Sequence, residues 1–321
     1  MKLSVTPTWT PADIVDLIGV IAFEDDFLAA ADVPAAALPL SSLLQSAIVD
    51  QRFKGKVGQT LVVDTQGQNG ARRIALVGSG PHAAFRQADY RHAAATIVRI
   101  AATGGARSVT ILDDASPPSA GNLPASGSHV RNTERDAISR LEALSQGLLL
   151  GAYRFEKYLG SEKRVPMALA SVSLHVASPL TGGAAEAAIA RGERTARAVC
   201  YARDLVNEPA GMLTPTALAD DVAARARKLG LQVTVLGRDQ CQALGMGMFL
   251  AVAQGSAQEP KFIHLAWCPP GGADRRIVLI GKGVTFDSGG LSLKTNDGMQ
   301  DMKSDMAGAA AVLSAILVAA E

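Results

Sequence analysis

The sequence predicts an α/β protein of two domains, each built on a mostly parallel or mixed sheet flanked by helices. Short apolar runs bounded by glycine alternate with longer segments whose apolar residues recur at helical spacing, and this alternation is typical of parallel sheets. The length of 321 residues favours two domains. Hydrophobic residues make up 48% of the chain, and the formal net charge of +1 argues against a surface devoted to nucleic acid.

The first domain is predicted to cover residues 1–177. Its strands are apolar runs that end at turn residues, and its helices carry leucine and alanine at a spacing of three and four. The predicted strands are 18–23, 58–64, 73–78 and 108–113, and the predicted helices are one containing 43–48, then 85–102 and 132–158. A linker is predicted at 178–185, where proline and a glycine pair interrupt the pattern.

The second domain is predicted to cover residues 186–321. Its predicted helices are 186–207, 215–229, 238–244 and 302–321, and its predicted strands are 231–236, 262–267 and 275–280. The last of these strands is a continuous apolar run, which is typical of a buried strand. The sequence ends inside an apolar helix without a glycine cap or a proline, so we expect it to be a fragment with an incomplete second domain.

Residues 280–310 differ from the rest of the chain in composition. This stretch combines lysines, aspartates and turn-forming glycines between an apolar run and an apolar helix. Asp287 follows a short apolar run. The residues after it, Ser288-Gly289-Gly290, predict a sharp turn. Residues 291–294 alternate with period two, and Asp305 is predicted in the first turn of the last helix, where Gly308 permits close packing. Strand ends and helix starts are where α/β folds place their sites.

Aspartates without histidine or cysteine among them indicate a site for a hard, oxygen-coordinated metal ion. Lys282 could join such a site only as a neutral amine, which a buried position beside a divalent ion favours by lowering the lysine pKa. Lys294 could remain charged and stabilise a developing oxyanion. On spacing alone, ordinary lysine–aspartate ion pairs around a glycine-rich loop are an equal alternative.

A long ordered string of residues resembles the signature of the leucyl (cytosol) aminopeptidase family. Two upstream segments are also similar to that family, so the resemblance runs from about residue 187 to the last residue. The matching residues are 281–294 with Met299, Met302, Lys303, Asp305, Met306, Gly308, Ala309 and Ala310, then 201–209 with 213–215, and finally 244–247 with 253–256.

The resemblance implies a hydrolase with two divalent metal ions, Mn²⁺ or Zn²⁺, that releases N-terminal leucine and other apolar residues from peptides. By position, Lys282, Asp287 and Asp305 match metal ligands, with Asp287 bridging both ions. Lys294 matches a catalytic lysine, and Met302 matches a residue lining the pocket for the first side chain of the substrate. No separate organic cofactor is expected.

Further ligands and a catalytic arginine of this family lie beyond the length of this sequence. We therefore expect the 321 residues by themselves to be inactive. The resemblance also implies a homo-hexamer for the full-length protein. No N-terminal signal pattern is evident, and the three cysteines of the chain are widely spaced. We therefore expect the protein in the cytoplasm and without a membrane partner.

Two other function classes stay open. Gly78-Ser79-Gly80-Pro81-His82-Ala83 follows a predicted strand and matches the dinucleotide fingerprint, although no acidic residue ends a strand about 20 residues later. A tight strand-to-helix turn is the structural alternative. DNA binding, which resembles a second role of some family members, would need a local basic patch on a nearly neutral chain.

Overall fold

The computed structural model describes residues 1–6, 14–25, 42–67, 70–113, 134–164, 167–176, 180, 183–269, 271–272 and 275–321. The chain divides into two compact units, Met1–Ala196 and Arg197–Glu321. The domain boundaries predicted above remain predictions, since half of the predicted linker lies outside the described residues.

The first unit contains a six-stranded sheet in the order β1-β6-β5-β2-β4-β3. All neighbouring strands are parallel except β3, which runs antiparallel to β4 at the edge. This mixed, mostly parallel sheet confirms the predicted fold class. The strands are β1 Lys2–Thr6, β2 Val15–Ala22, β3 Thr60–Asp64, β4 Ala71–Gly78, β5 Ser108–Asp113 and β6 Ser171–Val176.

Helices cover both faces of this sheet, which explains why its strands are apolar on both sides. In β4, Ala75 and Val77 belong to one core, whereas Ile74 and Leu76 belong to the core on the opposite face. The helices of this unit are α1 Ser42–Asp50, α2 Gln87–Thr103, α3 Glu134–Ala152 and the start of α4 Ala184–Asn207.

Two strands of this sheet, β1 and β6, were not among the predicted strands. Both are parallel neighbours at one edge, with Leu3 opposite Val172 and Val5 opposite Leu174. The alternation of buried Val172 and Leu174 with polar residues was a readable period-two signal. The third predicted helix ends at Ala152 rather than at residue 158.

The second unit contains mainly helices and a two-stranded antiparallel sheet. Buried residues of α4, α5 and the last helix form its core, to which one face of the sheet contributes Ile263 and Leu265. Its elements are α5 Pro215–Lys228, β7 Gln232–Leu236, α6 Arg238–Ala243, α7 Gly247–Val252, β8 Phe262–Ala266, α8 Asn296–Met299 and α9 Ala307–Ala320.

The buried strand predicted at 275–280 is wrong. These residues form no regular structure, and Ile277, Val278, Leu279 and Ile280 are 85, 70, 54 and 90% exposed. A strand needs a hydrogen-bonded neighbour, and the described residues place none beside this run: β8 pairs only with β7. Residues 291–294, which alternate with period two, form no strand, apart from an isolated bridge between Gly289 and Leu293.

The helix predicted at 302–321 is split. Met302–Ser304 is a 3₁₀ turn, and α9 begins only at Ala307. The N–H of Asp305 donates to the carbonyl of Met302, and the fully buried Met306 occupies the position before the helix. Asp305 therefore lies before the first turn of α9, not within it as predicted.

One segment of the described chain, Asn296–Ala320, is long and apolar enough to cross a membrane by length and composition alone. A core helix of a soluble protein passes the same test, so this is weak support for a membrane span. Its longest α-helical part is the 14 residues of α9, fewer than the about 20 that span a bilayer. Five apolar and small residues of α9 are buried in the protein.

Candidate functional site

The backbone around Lys282 lies directly against the start of α9. The carbonyl of Lys282 accepts a 2.8 Å hydrogen bond from the N–H of Ala309. A Cβ atom at Gly281 would collide with the carbonyl oxygen of Gly308, and one at Gly308 would press on the N–H of Lys282. Glycine at both positions permits this close approach, as the small residues at the helix start predict.

Asp287 and Lys294 are brought together by a tight turn. Gly289 has φ +90°, which favours glycine, and its N–H donates to Oδ1 of Asp287 at 2.9 Å. The N–H of Lys294 donates to the carbonyl of Ser288 at 3.0 Å, which closes the turn. The sharp turn predicted at Ser288-Gly289-Gly290 is therefore present.

Four of the five predicted site residues form two ion pairs. Nζ of Lys282 lies 2.6 Å from Oδ2 of Asp305, and Nζ of Lys294 lies 3.4 Å from Oδ2 of Asp287. Asp287 also acts electrostatically on Lys282, so the two pairs belong to one charged cluster. We call Lys282, Asp287, Lys294 and Asp305 the charged cluster.

The cluster shifts the pKa of two of its members. The hydrogen bond from the N–H of Gly289, followed by the contact with Lys294, lowers the pKa of Asp287 and keeps it ionised. The contact with the Asp305 carboxylate raises the pKa of Lys282. Without a metal ion, Lys282 thus favours the ammonium form, which is opposite to the neutral amine that a metal ligand requires.

One oxygen of the cluster is buried and faces a cation. Oδ2 of Asp305 is shielded from solvent and lies 2.6 Å from the ammonium of Lys282. A buried carboxylate oxygen that faces a cation is also a suitable ligand for a metal ion. The described residues contain no group of three or more His, Cys, Asp or Glu side chains that could hold a metal ion. The donor set is therefore two carboxylates and one lysine.

The structure places Met302, the fifth predicted site residue, in the 3₁₀ turn before Asp305, where it is half-buried. Its carbonyl accepts the N–H of Asp305, so the two residues are linked through the backbone. The roles assigned to Met302, to the three predicted ligands and to Lys294 remain predictions.

Lys303 is a residue that the sequence did not single out for a role. Its Nζ donates a 2.8 Å hydrogen bond to the backbone carbonyl of Asn207, the last residue of α4. The two residues are 96 positions apart, so no local spacing could have indicated the contact. A lysine is a favourable partner for the carbonyls at a helix C-terminus.

The glycine-rich loop after β4 forms a tight turn, which is the alternative given above to a dinucleotide-binding loop. The N–H groups of Gly78, Ser79 and Gly80 donate to backbone carbonyls of Gln59, Ala22 and Gly55. Gly80 has φ +75°, and a Cβ at Gly78 would collide with the carbonyl of Lys56. The backbone donors that a dinucleotide fingerprint would offer to a pyrophosphate are occupied within the protein.

Comparison with known families and proteins adds an independent line of observation. The N-terminal domain of the cytosol aminopeptidase family matches residues 20–162, and the catalytic domain of the same family matches residues 200–321. A probable cytosol aminopeptidase of Thermosynechococcus vestitus is 35% identical over 318 residues, which are 98% of this chain and 59% of that protein. One of Parasynechococcus marenigrum is 39% identical over 281 residues, which are 87% of this chain and 53% of that protein.

Solved structures agree with these sequence matches. A mutant of tomato leucine aminopeptidase is similar with a TM-score of 0.80 and 28% identity, covering 100% of this chain and 59% of that one. The bottromycin maturation enzyme BotP in complex with Mn is similar with a TM-score of 0.69 and 32% identity, covering 95% of this chain and 56% of that one. The chain thus spans little more than half the length of these relatives. Because the chain matches both domains of the cytosol aminopeptidase family, it belongs to that family and contains the N-terminal domain and part of the catalytic domain.

Proposed function

We propose that this chain is part of a metal-dependent aminopeptidase that releases N-terminal residues, preferentially leucine and other apolar ones, from peptides. The observation that carries the proposal is the charged cluster, in which two carboxylates and two lysines converge beside the start of α9. The family membership supports the same reaction class.

Lys282, Asp287 and Asp305 would hold two divalent ions, Mn²⁺ or Zn²⁺. Two such ions would supply a water of lowered pKa and polarise the scissile carbonyl. Asp287 is ready for this role because the N–H of Gly289 orients one of its oxygens and favours its ionised form. Lys282 would lose a proton on binding, since its contact with Asp305 favours the ammonium.

Lys294 would be the catalytic lysine. Its Nζ lies 3.4 Å from Oδ2 of Asp287, which supports a role beside the proposed metal ligands, where its ammonium would stabilise the negative charge that develops during attack on a carbonyl. Met302 would line the pocket for the first side chain of the substrate, because its unbranched thioether side chain suits apolar groups of varied shape. Its half-buried position beside Asp305 is compatible with this role.

Further parts of the proposal concern the whole protein. We expect a cytoplasmic homo-hexamer that acts on peptides, with a non-catalytic domain at 1–177, a linker at 178–185 and the start of the catalytic domain at 186–321. The relatives are named for the cytosol, which supports the location. Binding of DNA finds little support in a chain with a net charge of +1.

Two carboxylates and one lysine are fewer donors than two ions require. We therefore expect the 321 residues by themselves to bind one ion weakly and to show no appreciable aminopeptidase turnover. Hydrolysis of leucine p-nitroanilide by the purified 321-residue chain would contradict this expectation.

The test of the proposed function uses the protein isolated from its source. We expect hydrolysis of leucine p-nitroanilide that depends on Mn²⁺ or Zn²⁺. The Asp287→Ala variant should lose at least about 100-fold of this activity, because residues that merely support ligands already cost 10–100-fold. Asp297→Ala is the matched control, since Asp297 is an exposed aspartate of the same stretch with no predicted role. Equal activity of the Asp287 and Asp297 variants would overturn the proposal.

A further inference from the structure

Lys303 differs from the two lysines of the charged cluster in its partner. Lys282 and Lys294 contact carboxylates, whereas Nζ of Lys303 donates to the backbone carbonyl of Asn207 at 2.8 Å. Asn207 ends α4, and the carbonyls of a last helical turn have no donor within the helix and carry partial negative charge. The contact is partly buried, so solvent screens it less than an exposed pair.

This contact fixes a short turn that ends at Asp305. Lys303 is the middle residue of the 3₁₀ turn Met302–Ser304. The N–H of Ser304 donates to the carbonyl of Asp301 at 2.9 Å, and the N–H of Asp305 donates to that of Met302. A 3₁₀ turn of three residues has few hydrogen bonds of its own, so its orientation depends on the residues that it contacts.

Asp305 therefore lies between two anchors. On one side, Lys303 attaches the turn to the C-terminal end of α4. On the other side, Met306 is fully buried in the core of the second unit. The turn between these two anchors sets the position from which the Asp305 carboxylate extends, and its Oδ2 faces the ammonium of Lys282 at 2.6 Å.

We infer that Lys303 is a positioning residue, which holds Asp305 in the orientation required to bind a divalent cation. The inference rests on the proposed function, because the ligand role of Asp305 is itself proposed. Lys303 would act through Asp305 without contacting the cation. Loss of a group that supports a metal ligand weakens metal binding about 10–100-fold, and we expect the lower end of this range.

The test is a titration of the 321-residue chain with Mn²⁺, followed by the electron paramagnetic resonance signal of the free ion. Lys303→Met keeps the length of the side chain and removes the charged donor, and it should weaken binding about tenfold. Lys303→Arg retains a charged N–H donor and should keep most of the affinity. Lys228→Met, at the end of α5 in the same unit, controls for the loss of one positive charge.

The outcomes separate this inference from the proposed function. If Asp305→Asn binds Mn²⁺ as well as the wild type, the ligand role of Asp305 in the proposed function fails. If the wild-type chain binds no Mn²⁺, the weak single site expected of these 321 residues is absent, and the inference about Lys303 fails with it. If Asp305→Asn loses binding but Lys303→Met equals Lys228→Met, only the positioning role fails. Weaker binding by Lys303→Met that Lys303→Arg restores supports the inference.

A double-variant measurement tests whether Lys303 acts through Asp305. In the Asp305→Asn background, Lys303→Met should change residual Mn²⁺ binding no further, whereas additive losses would overturn the inference. Circular dichroism reports whether each variant folds. If Lys303→Met does not fold, Lys303→Gln takes its place, and its binding should fall below that of Lys303→Arg.

Discussion

The two units of this protein contain nearly the same sequence motif in opposite environments. Arg72-Arg73-Ile74-Ala75-Leu76-Val77-Gly78 forms most of β4 in the first unit, and Arg275-Arg276-Ile277-Val278-Leu279-Ile280-Gly281 precedes the charged cluster in the second. The first run is hydrogen-bonded to β2 and β3, and its apolar residues are buried on both faces. The second run has no strand beside it in the described chain, and its apolar residues are exposed.

The comparison shows that an apolar run forms a buried strand only when other strands pair with it and helices cover its faces. Backbone N–H and C=O groups need partners from other strands, and apolar side chains need helices on the sheet faces. The terminal glycines of the two motifs behave alike, however. A Cβ at Gly78 would collide with the carbonyl of Lys56, and one at Gly281 would collide with that of Gly308. The close approach at the end of each motif is therefore local, while burial of the run is not.

The largest expected effect is a difference between Ile74→Ala and Ile277→Ala. Ile74 is fully buried, so its truncation should lower the free energy of unfolding of the first unit by about 2–5 kcal/mol. Ile277 is mostly exposed, so the same change should cost less than about 0.5 kcal/mol. Urea unfolding of the 321-residue chain, followed by circular dichroism, measures both values.

Amide hydrogen exchange adds a residue-level check on the same pair. Amides of β4 should be protected, whereas those of 275–280 should exchange quickly, because no backbone ladder holds them. A cost for Ile277→Ala as large as that for Ile74→Ala, with slow exchange of 275–280, would mean that a partner covers this run in solution.

The fold of the first unit could be predicted largely from the sequence, for a reason that this pair explains. The predicted strand at 108–113 has the observed bounds, and Ala75 and Val77 face helices that the sequence also contains. The strands and helices that complete the sheet around this pattern lie within the described residues of the same unit. At 275–280 the pattern is equally strong, but the neighbours that would make it a strand are not among the described residues.

The candidate site could be predicted in part. The spacing of residues indicated the turn that joins Asp287 to Lys294, because glycine at a positive φ has a local signal. The contact of Lys303 with Asn207 had no such signal, since it joins positions far apart in the chain. The expected lowering of the Lys282 pKa assumed a divalent ion beside the amine, whereas the carboxylates that Lys282 faces here raise its pKa.

A smaller effect should follow from Gly281→Ala. The added methyl group would meet backbone atoms of Gly308 and Ala309, and backbone cannot move aside as a flexible side chain can. We expect a loss of about 1–3 kcal/mol in the free energy of unfolding of the second unit. Gly290→Ala is the matched control, because a Cβ there meets no atom within 4 Å. Equal stability of the two variants would show that the contact between residue 281 and α9 does not form in solution.

The smallest effect concerns Asp16 at the start of β2. Its Oδ2 accepts hydrogen bonds from the N–H groups of Arg107 and Ser108 at 2.8 and 3.1 Å, and the bond from Arg107 is the main cause that lowers the pKa of Asp16. A carboxyl whose pKa is lower in the folded state contributes stability above its unfolded pKa of about 3.8 and loses it as pH falls through the folded value. Asp16→Asn should therefore cost roughly 1 kcal/mol in the first unit at pH 7 and progressively less below pH 4. Urea unfolding at several pH values measures this difference, and a cost that stays constant from pH 7 to the acid limit would show that the carboxylate charge is not the source of the stability.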